Sequence, residues 1–146
     1  NIWHDYPTLA EEIRVVKNTT TTHVSDVNVM LTNEEIKYYQ ELIRRIPVVD
    51  NVYEYAVKLV SRTRTGTSTA HAWANDYLTW GAGPRASQYL ILGAKCHAAI
   101  HGKYSPDIED VQAVATSILR LRIVRNYKAE AEGIKEEAII LEFMKF

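Results

Sequence analysis

The chain has 146 residues, 47% of them hydrophobic, which suits one domain with a real core and excludes disorder as the default. Its 17 Lys and Arg stand against 18 Asp and Glu, a net charge of −1 with the five His neutral, and that balance argues against a polyanion-binding domain. A single Cys cannot form an internal disulfide, and no apolar run approaches the ~18 residues of a membrane span, so no membrane insertion is expected. The first residues, Asn1-Ile2-Trp3-His4-Asp5, carry neither a basic nor an apolar signal region, so no signal peptide is expected. With no initiator Met, the chain is expected to be a piece of something longer.

Six segments show helical periodicity. Leu9, Ile13 and Val16 recur at i, i+4, i+7 after Pro7, a favoured first-turn residue. The polar stretch from Asn18 to Ser25 predicts a loop, and the alternation of Val27, Val29 and Leu31 predicts a short strand near 27–31. Thr32-Asn33-Glu34-Glu35 is a capping box that opens a helix carrying Ile36, Tyr39 and Ile43, ended by Pro47. Asp50 is the next N-cap candidate. Val52, Tyr55, Ala56, Leu59 and Val60 then give the cleanest helical stripe in the chain.

From Arg64 to Gly83 periodicity is lost, which predicts a loop whose second half is pinned to the body by Trp73, Tyr77 and Trp80. Gly83-Pro84 starts a helix that runs to about His101 and stops at Gly102. With only Arg85 and Lys95 firmly charged, it reads as the central buried helix. Ser105-Pro106 predicts a cap and first turn for a helix with Ile108, Val111, Ala115 and Ile118 inward. Arg120 to Lys128 is ambiguous. A last helix follows Gly133 with Ile134, Ala138 and Leu141 on one face. The expected fold is an all-α bundle of about five to six helices, with one short strand at most.

The strongest local anomaly is Gly81-Ala82-Gly83-Pro84-Arg85. It puts a permanent cation in the first turn of an apolar helix, where the macrodipole already carries about +0.5 of a charge and a cation costs roughly 0.3–1 kcal/mol. Free N–H groups at the same point favour an anion, most naturally phosphate. Two readings follow: Arg85 serves an anion site, or it pairs with a carboxylate elsewhere in the fold. The stretch also fits Gly-x-Gly-x-x-Ala from Gly81 to Ala86, but no parallel βαβ pattern surrounds it and Pro84 sits within the turn, so it is not read as a dinucleotide fingerprint. No Gly-x-x-x-x-Gly-Lys-Ser/Thr occurs, so this stretch of sequence carries no phosphate-cradling loop.

His97 and His101 lie four apart beside Cys96. The spacing could present two metal ligands, but Ala98 stands where a metalloprotease has Glu and no third ligand is near, so packing and surface roles are expected and no metal site. Cys96 reads as a small core residue. Arg120, Arg122, Arg125 and Lys128 form the one basic cluster. It reads either as a nucleic-acid contact or, as favoured here, as an amphipathic stretch that the neighbouring Glu130, Glu132, Glu136 and Glu137 offset; no nucleic-acid partner is expected.

Trp80-Gly81-Ala82-Gly83-Pro84-Arg85-Ala86-Ser87 resembles the MoxR family of AAA+ ATPases, and the similarity runs through nearly the whole chain. Asp5-Tyr6-Pro7 with Glu11-Glu12-Ile13, Leu31 to Ile36, Ile46-Pro47-Val48, Tyr55 to Val60 and Thr63-Arg64 follow the family's order. So do Leu92 to Lys95, Ile108 to Val111 and Ala129 to Gly133. The part resembled is the C-terminal helical lid. The resemblance implies that residues 1–5 are the tail of the preceding core strand and 6–146 the lid domain. It implies a cytoplasmic, ring-forming, chaperone-like parent that uses ATP and Mg, while the chain alone binds neither and is not an enzyme. The implied partners are the lid's own nucleotide-binding core, a neighbouring subunit and a von Willebrand factor A-domain protein. Arg85 matches the sensor 2 arginine, supported by Gly81, Gly83 and Pro84. Arg120 and Arg122 match a family segment read as a possible interface, although Leu121 stands where the family usually has His. The rival classes are a non-enzymatic helical interaction module and a helical nucleic-acid binder.

Overall fold

The computed structural model describes residues 4–22 and 27–146. Eight helices and two short strands are found among them. In chain order they are α1 (Leu9–Thr19), α2 (Asn33–Arg45), α3 (Asp50–Arg62), α4 (Ala72–Tyr77), β1 (Leu78–Trp80), α5 (Pro84–Ile100), α6 (Ile108–Leu119), β2 (Val124–Arg125), α7 (Tyr127–Ala131) and α8 (Glu136–Phe143). The all-α class is as expected.

Local chemistry sets several boundaries. Thr32 accepts from the Glu35 N–H while the Glu35 carboxylate reaches back to the Thr32 N–H at 2.7 Å, the capping box read from sequence. Thr8 and Glu11 form a second box, so Pro7 lies just outside α1 rather than in its first turn. Asp107, not Ser105, caps α6, in a box with Asp110. Its carboxylate reaches the Ile108 N–H at 2.6 Å, and that bond outbids the more distant Ser-Pro pair. Asp50 is the first residue of α3, one position inside the cap at Val49. Gly102, at φ +72°, closes α5 in the left-handed conformation that only glycine adopts cheaply.

α5 lies at the centre and packs against α2, α3 and α6, with α8 closing the far side of α6. Its buried face is small, with Ala86, Ala94 and Ala98 around Leu90, so the neighbouring helices come close. One hydrophobic core joins Val52, Ala56, Leu59 and Val60 of α3, Leu90 of α5, Val111, Ala115 and Leu119 of α6, and Ile139, Ile140 and Phe143 of α8. The α3 stripe is as read. For α8 the buried face is Ile139, Ile140 and Phe143, and Leu141 faces solvent at 55% exposure. The helix starts two residues later than Ile134, and its residues are apolar nearly all round, so periodicity alone could not choose the face.

The strand expected near 27–31 is not formed: 27–30 carry no regular secondary structure, and Val27 and Val29 are exposed. The sheet is instead β1 with β2, antiparallel, pairing Leu78 with Arg125 and Trp80 with Val124. Trp80 is 69% exposed, so of the three aromatic residues expected to pin the segment only Trp73 and Tyr77 pack on the core. The loop predicted from Asn18 to Ser25 begins two residues later, since α1 runs to Thr19; positions 23–26 lie outside the described residues, as do 1–3 of the expected strand tail. Every described residue from 4 to 22 is exposed. No helix among the described residues is long and apolar enough to cross a membrane.

Candidate functional site

The head of α5 is held by the tail of α3. Thr63, fully buried, donates its hydroxyl to the Val60 carbonyl at 2.7 Å and accepts the Ala82 N–H at 2.8 Å. Arg64 donates Nε to the Ala82 carbonyl at 3.2 Å. Both main-chain polar groups of Ala82, itself only 1% exposed, are therefore satisfied from one helix end. Gly81 permits this approach. A Cβ placed there would stand 2.1 Å from the Thr63 carbonyl oxygen, against backbone that cannot yield.

Gly83 then caps α5 at φ −80°, ψ 177°, with no side chain on the free N–H groups, and Pro84 takes the first helical position. The first turn holds no acid. Arg85 follows, exposed, and among the described residues neither its guanidinium nor its backbone N–H has a partner. Of the two readings open from sequence, the carboxylate pair is not the one the described residues form. The arrangement is a cation fork beside an unsatisfied N–H at the positive end of a 17-residue dipole, a donor set suited to a phosphate oxygen.

Arg85 also borders a cleft of about 830 Å³ between α2, α3 and α5, which Arg44, Tyr53 and Tyr89 line as well. Arg122 lays its guanidinium over Tyr89, 4.9 Å from the ring centroid, and donates Nη1 to the Ile118 carbonyl at 2.6 Å. Tyr89 is one turn along α5 from Arg85, so Arg122 shares Arg85's side of the helix. Arg120 points elsewhere and pairs with Glu137. Arg125 pairs with Glu136 at 2.7 Å, and Lys128 sits over Tyr77 at 4.8 Å. The basic cluster is thus divided among acidic and aromatic neighbours.

His97 and His101 lie at the other end of α5, His97 about 18 Å from Arg85 along the axis at 1.5 Å per residue. His97 Nδ1 is 2.7 Å from Asp110 Oδ1, and His101 Nδ1 is 2.7 Å from the His97 carbonyl. Asp110 is fully buried and also takes Lys103 Nζ at 3.1 Å and the Asp107 N–H at 2.8 Å. Burial alone would raise its carboxyl; the bonds from Asp107, His97 and Lys103 outweigh that and hold it below the ordinary carboxylate range. The cluster is a structural post joining α5 to α6. No group of three His, Cys, Asp or Glu placed to hold a metal is found among the described residues. Cys96, expected in the core, is exposed on the far side of α5, because the helix buries Lys95 instead.

The sequence singles out Arg85, Gly81, Gly83 and Pro84 as candidates but not the two residues that position them. Thr63 and Arg64 entered only through the family's order, since no periodicity ties a helix end to a loop 18 residues on.

The AAA lid domain family matches residues 70–143, a stretch that contains Arg85, Arg120 and Arg122. The chain is 27% identical over 140 residues to the uncharacterized protein YeaC of Bacillus subtilis, covering 95% of this chain and 41% of YeaC. It is 27% identical over 135 residues to Chaperone MoxR1 of Mycobacterium tuberculosis, covering 92% of this chain and 36% of that protein. The crystal structure of a proposed ATPase from Cytophaga hutchinsonii superposes with a TM-score of 0.75 at 26% identity, over 97% of this chain and 43% of that one. The chain spans about two fifths of the length of these relatives. The family match covers just over half of the chain, and the three longer similarities run through nearly all of it: the chain belongs to the AAA lid domain family, as the C-terminal lid of a MoxR-like AAA+ ATPase.

Proposed function

We propose that Arg85 is the sensor 2 arginine of this lid, coupling lid position to nucleotide state in a ring-forming, chaperone-like parent. The observation that carries the reading is the guanidinium of Arg85, without a partner among the described residues, at the uncapped head of α5 whose first turn holds no acid, held in place by Thr63 and Arg64. Mg-ATP, bound by the nucleotide-binding core of the parent, would supply the terminal phosphate. Arg85 would offer its fork and its backbone N–H to that phosphate, and the Gly81–Gly83 loop would hold α5 at the approach distance. The donor set fits a phosphate oxygen. Carboxylates for Mg would come from the core, as none gathers at the head of α5. The lid would bear on its own core and on a neighbouring subunit, with Arg122 on the same face. The chaperone relative supports the chaperone-like character, and a von Willebrand factor A-domain partner and a cytoplasmic setting belong to the same family reading.

An arginine–phosphate contact is worth roughly 1.5–3 kcal/mol, about ten- to a hundredfold in affinity or rate. Arg85→Ala in the full-length parent should therefore cut ATP turnover per folded ring by that factor and leave the melting temperature unchanged. Arg85→Lys should restore part of it, having lost the bidentate fork. A fall in melting temperature with turnover unchanged would show a structural arginine instead.

A further inference from the structure

The cleft beside Arg85 has a chemistry of its own. Its floor is Val57, Ile91 and Leu92, and Tyr53 and Tyr89 rise from it, each a little under half exposed. Val57 is 54% exposed, an apolar surface left to water. Arg44 stands on the α2 side, and among the described residues no Asp or Glu lines the cleft. Arg44 has no ion-pair partner among the described residues; the acid one turn before it on α2, Glu41, is turned to Arg45 at 3.9 Å. Yet its backbone is fixed. The Arg44 carbonyl accepts Lys95 Nζ at 2.9 Å, and Lys95 is only 8% exposed. The buried ammonium anchors the end of α2 and adds a further positive charge behind Arg44. Cations over an apolar floor act in a lower effective dielectric than in bulk water, so the unmatched charge is felt more strongly there.

We propose that this cleft docks an acidic segment of a partner protein, with a carboxylate on Arg44 and a large apolar side chain over Val57, Ile91 and Leu92 between the two tyrosines. Exposed Tyr and Arg around an apolar patch are what protein-binding hot spots are made of. A nucleic acid fits less well. Arg120 and Arg125 are tied to Glu137 and Glu136, so among the described residues only Arg122, over Tyr89, carries the positive charge on from Arg44 and Arg85, too short a run for a phosphate backbone to follow. A small inorganic anion would leave the apolar floor wet. The inference does not rest on the nucleotide reading; Arg85 borders the cleft but is not used to test it, and in the parent the acidic segment would share this face with the nucleotide-binding core or the neighbouring subunit.

The test is a fluorescence anisotropy titration of the 146-residue chain against a labelled pool of octapeptides alternating Asp or Glu with Leu, Phe or Tyr. The comparators are the same pool with Lys in place of the acids, and a ten-nucleotide oligo-dT. The expected result is saturable, salt-sensitive binding of the acidic pool alone, with amide shifts at the end of α2 and the first turns of α5. Arg44→Ala should weaken it about tenfold with an unchanged melting temperature, and Arg44→Lys should recover part of the loss. Arg14→Ala, on α1, should change nothing. No saturable binding of the acidic pool, equal binding of the Lys pool, preference for oligo-dT, or an Arg44→Ala protein that binds as well as the parent would each overturn the proposal.

Discussion

Two glycines two positions apart do different work. Gly81 is fixed by space, because any side chain meets the Thr63 carbonyl at 2.1 Å. Gly83 meets nothing within 4 Å and holds an extended backbone open to any residue. Gly81→Ala should therefore cost about 3 kcal/mol, as overpacking against backbone does, whereas Gly83→Ala should stay within about 1 kcal/mol. Gly83→Asp goes further. Its carboxylate would cap the free N–H groups and raise stability by about 1 kcal/mol. The same carboxylate would compete for Arg85, so nucleotide response in the parent should fall while the urea midpoint rises. A parent that gains stability and keeps full response would separate Arg85 from the phosphate. Arg85 was legible in the sequence because a cation at a helix head is a local contradiction, visible within five residues. Thr63 was not: its hydroxyl acts on a main-chain N–H 19 residues away, and no local pattern encodes that.

Among the elements, α4 shows why a stretch without periodicity can still be helical. It is six residues long, and its cap is His71, whose Nδ1 accepts the Trp73 N–H at 3.2 Å while the ring packs in a T-shaped pair with Phe143. Histidine is not a residue sought at a helix start, so the capping rules that found Thr32 passed over it. The cap works only with Nδ1 unprotonated. Burial, and then the nearby Arg62 guanidinium, lower the His71 pKa from 6.5. The unfolded chain thus takes up its proton first, and the stabilisation present above pH 6.5 is lost as pH falls through the folded value. Urea midpoints measured from pH 7.5 to 5 should decline through that window in the wild type. His71→Asn, which caps without titrating, should flatten the decline; an unchanged slope would assign it elsewhere. Asp110 acts lower on the scale and in the same sense. Its depressed carboxyl contributes stability above the unfolded value of about 3.9 that is lost as pH falls through the folded one. Asp110→Ala, which strands Lys103 and frees the Asp107 N–H, should cost about 3–5 kcal/mol by urea denaturation at pH 7. The β1–β2 pair was illegible for a plainer reason: strands of three and two residues are too short to show a period.

At the scale of the whole molecule, the bundle from α2 to α8 is knit through α5, whereas α1 carries its apolar stripe of Leu9, Ile13 and Val16 in solvent. Limited trypsin digestion of the 146-residue chain should cut first at Arg14 and Lys17, leaving a resistant product that contains α2 to α8. Protection of both sites would show α1 covered in solution. The chain alone should release no phosphate from ATP, since its sequence holds no phosphate-cradling loop and the role proposed for Arg85 is sensing, not hydrolysis; Mg-dependent turnover proportional to its concentration would contradict the lid reading of Arg85. The clamp between Thr63, Arg64 and Ala82 has a mechanical consequence for the parent. With Gly81 already against backbone and both polar groups of Ala82 taken, the link between α3 and α5 has no slack. A pull on Arg85 cannot be absorbed by the loop, so α3 and α5 must swing as one lever. Spin labels on Ser61 and Gln88 should keep one separation across nucleotide states, while the distance from either to the nucleotide-binding core changes.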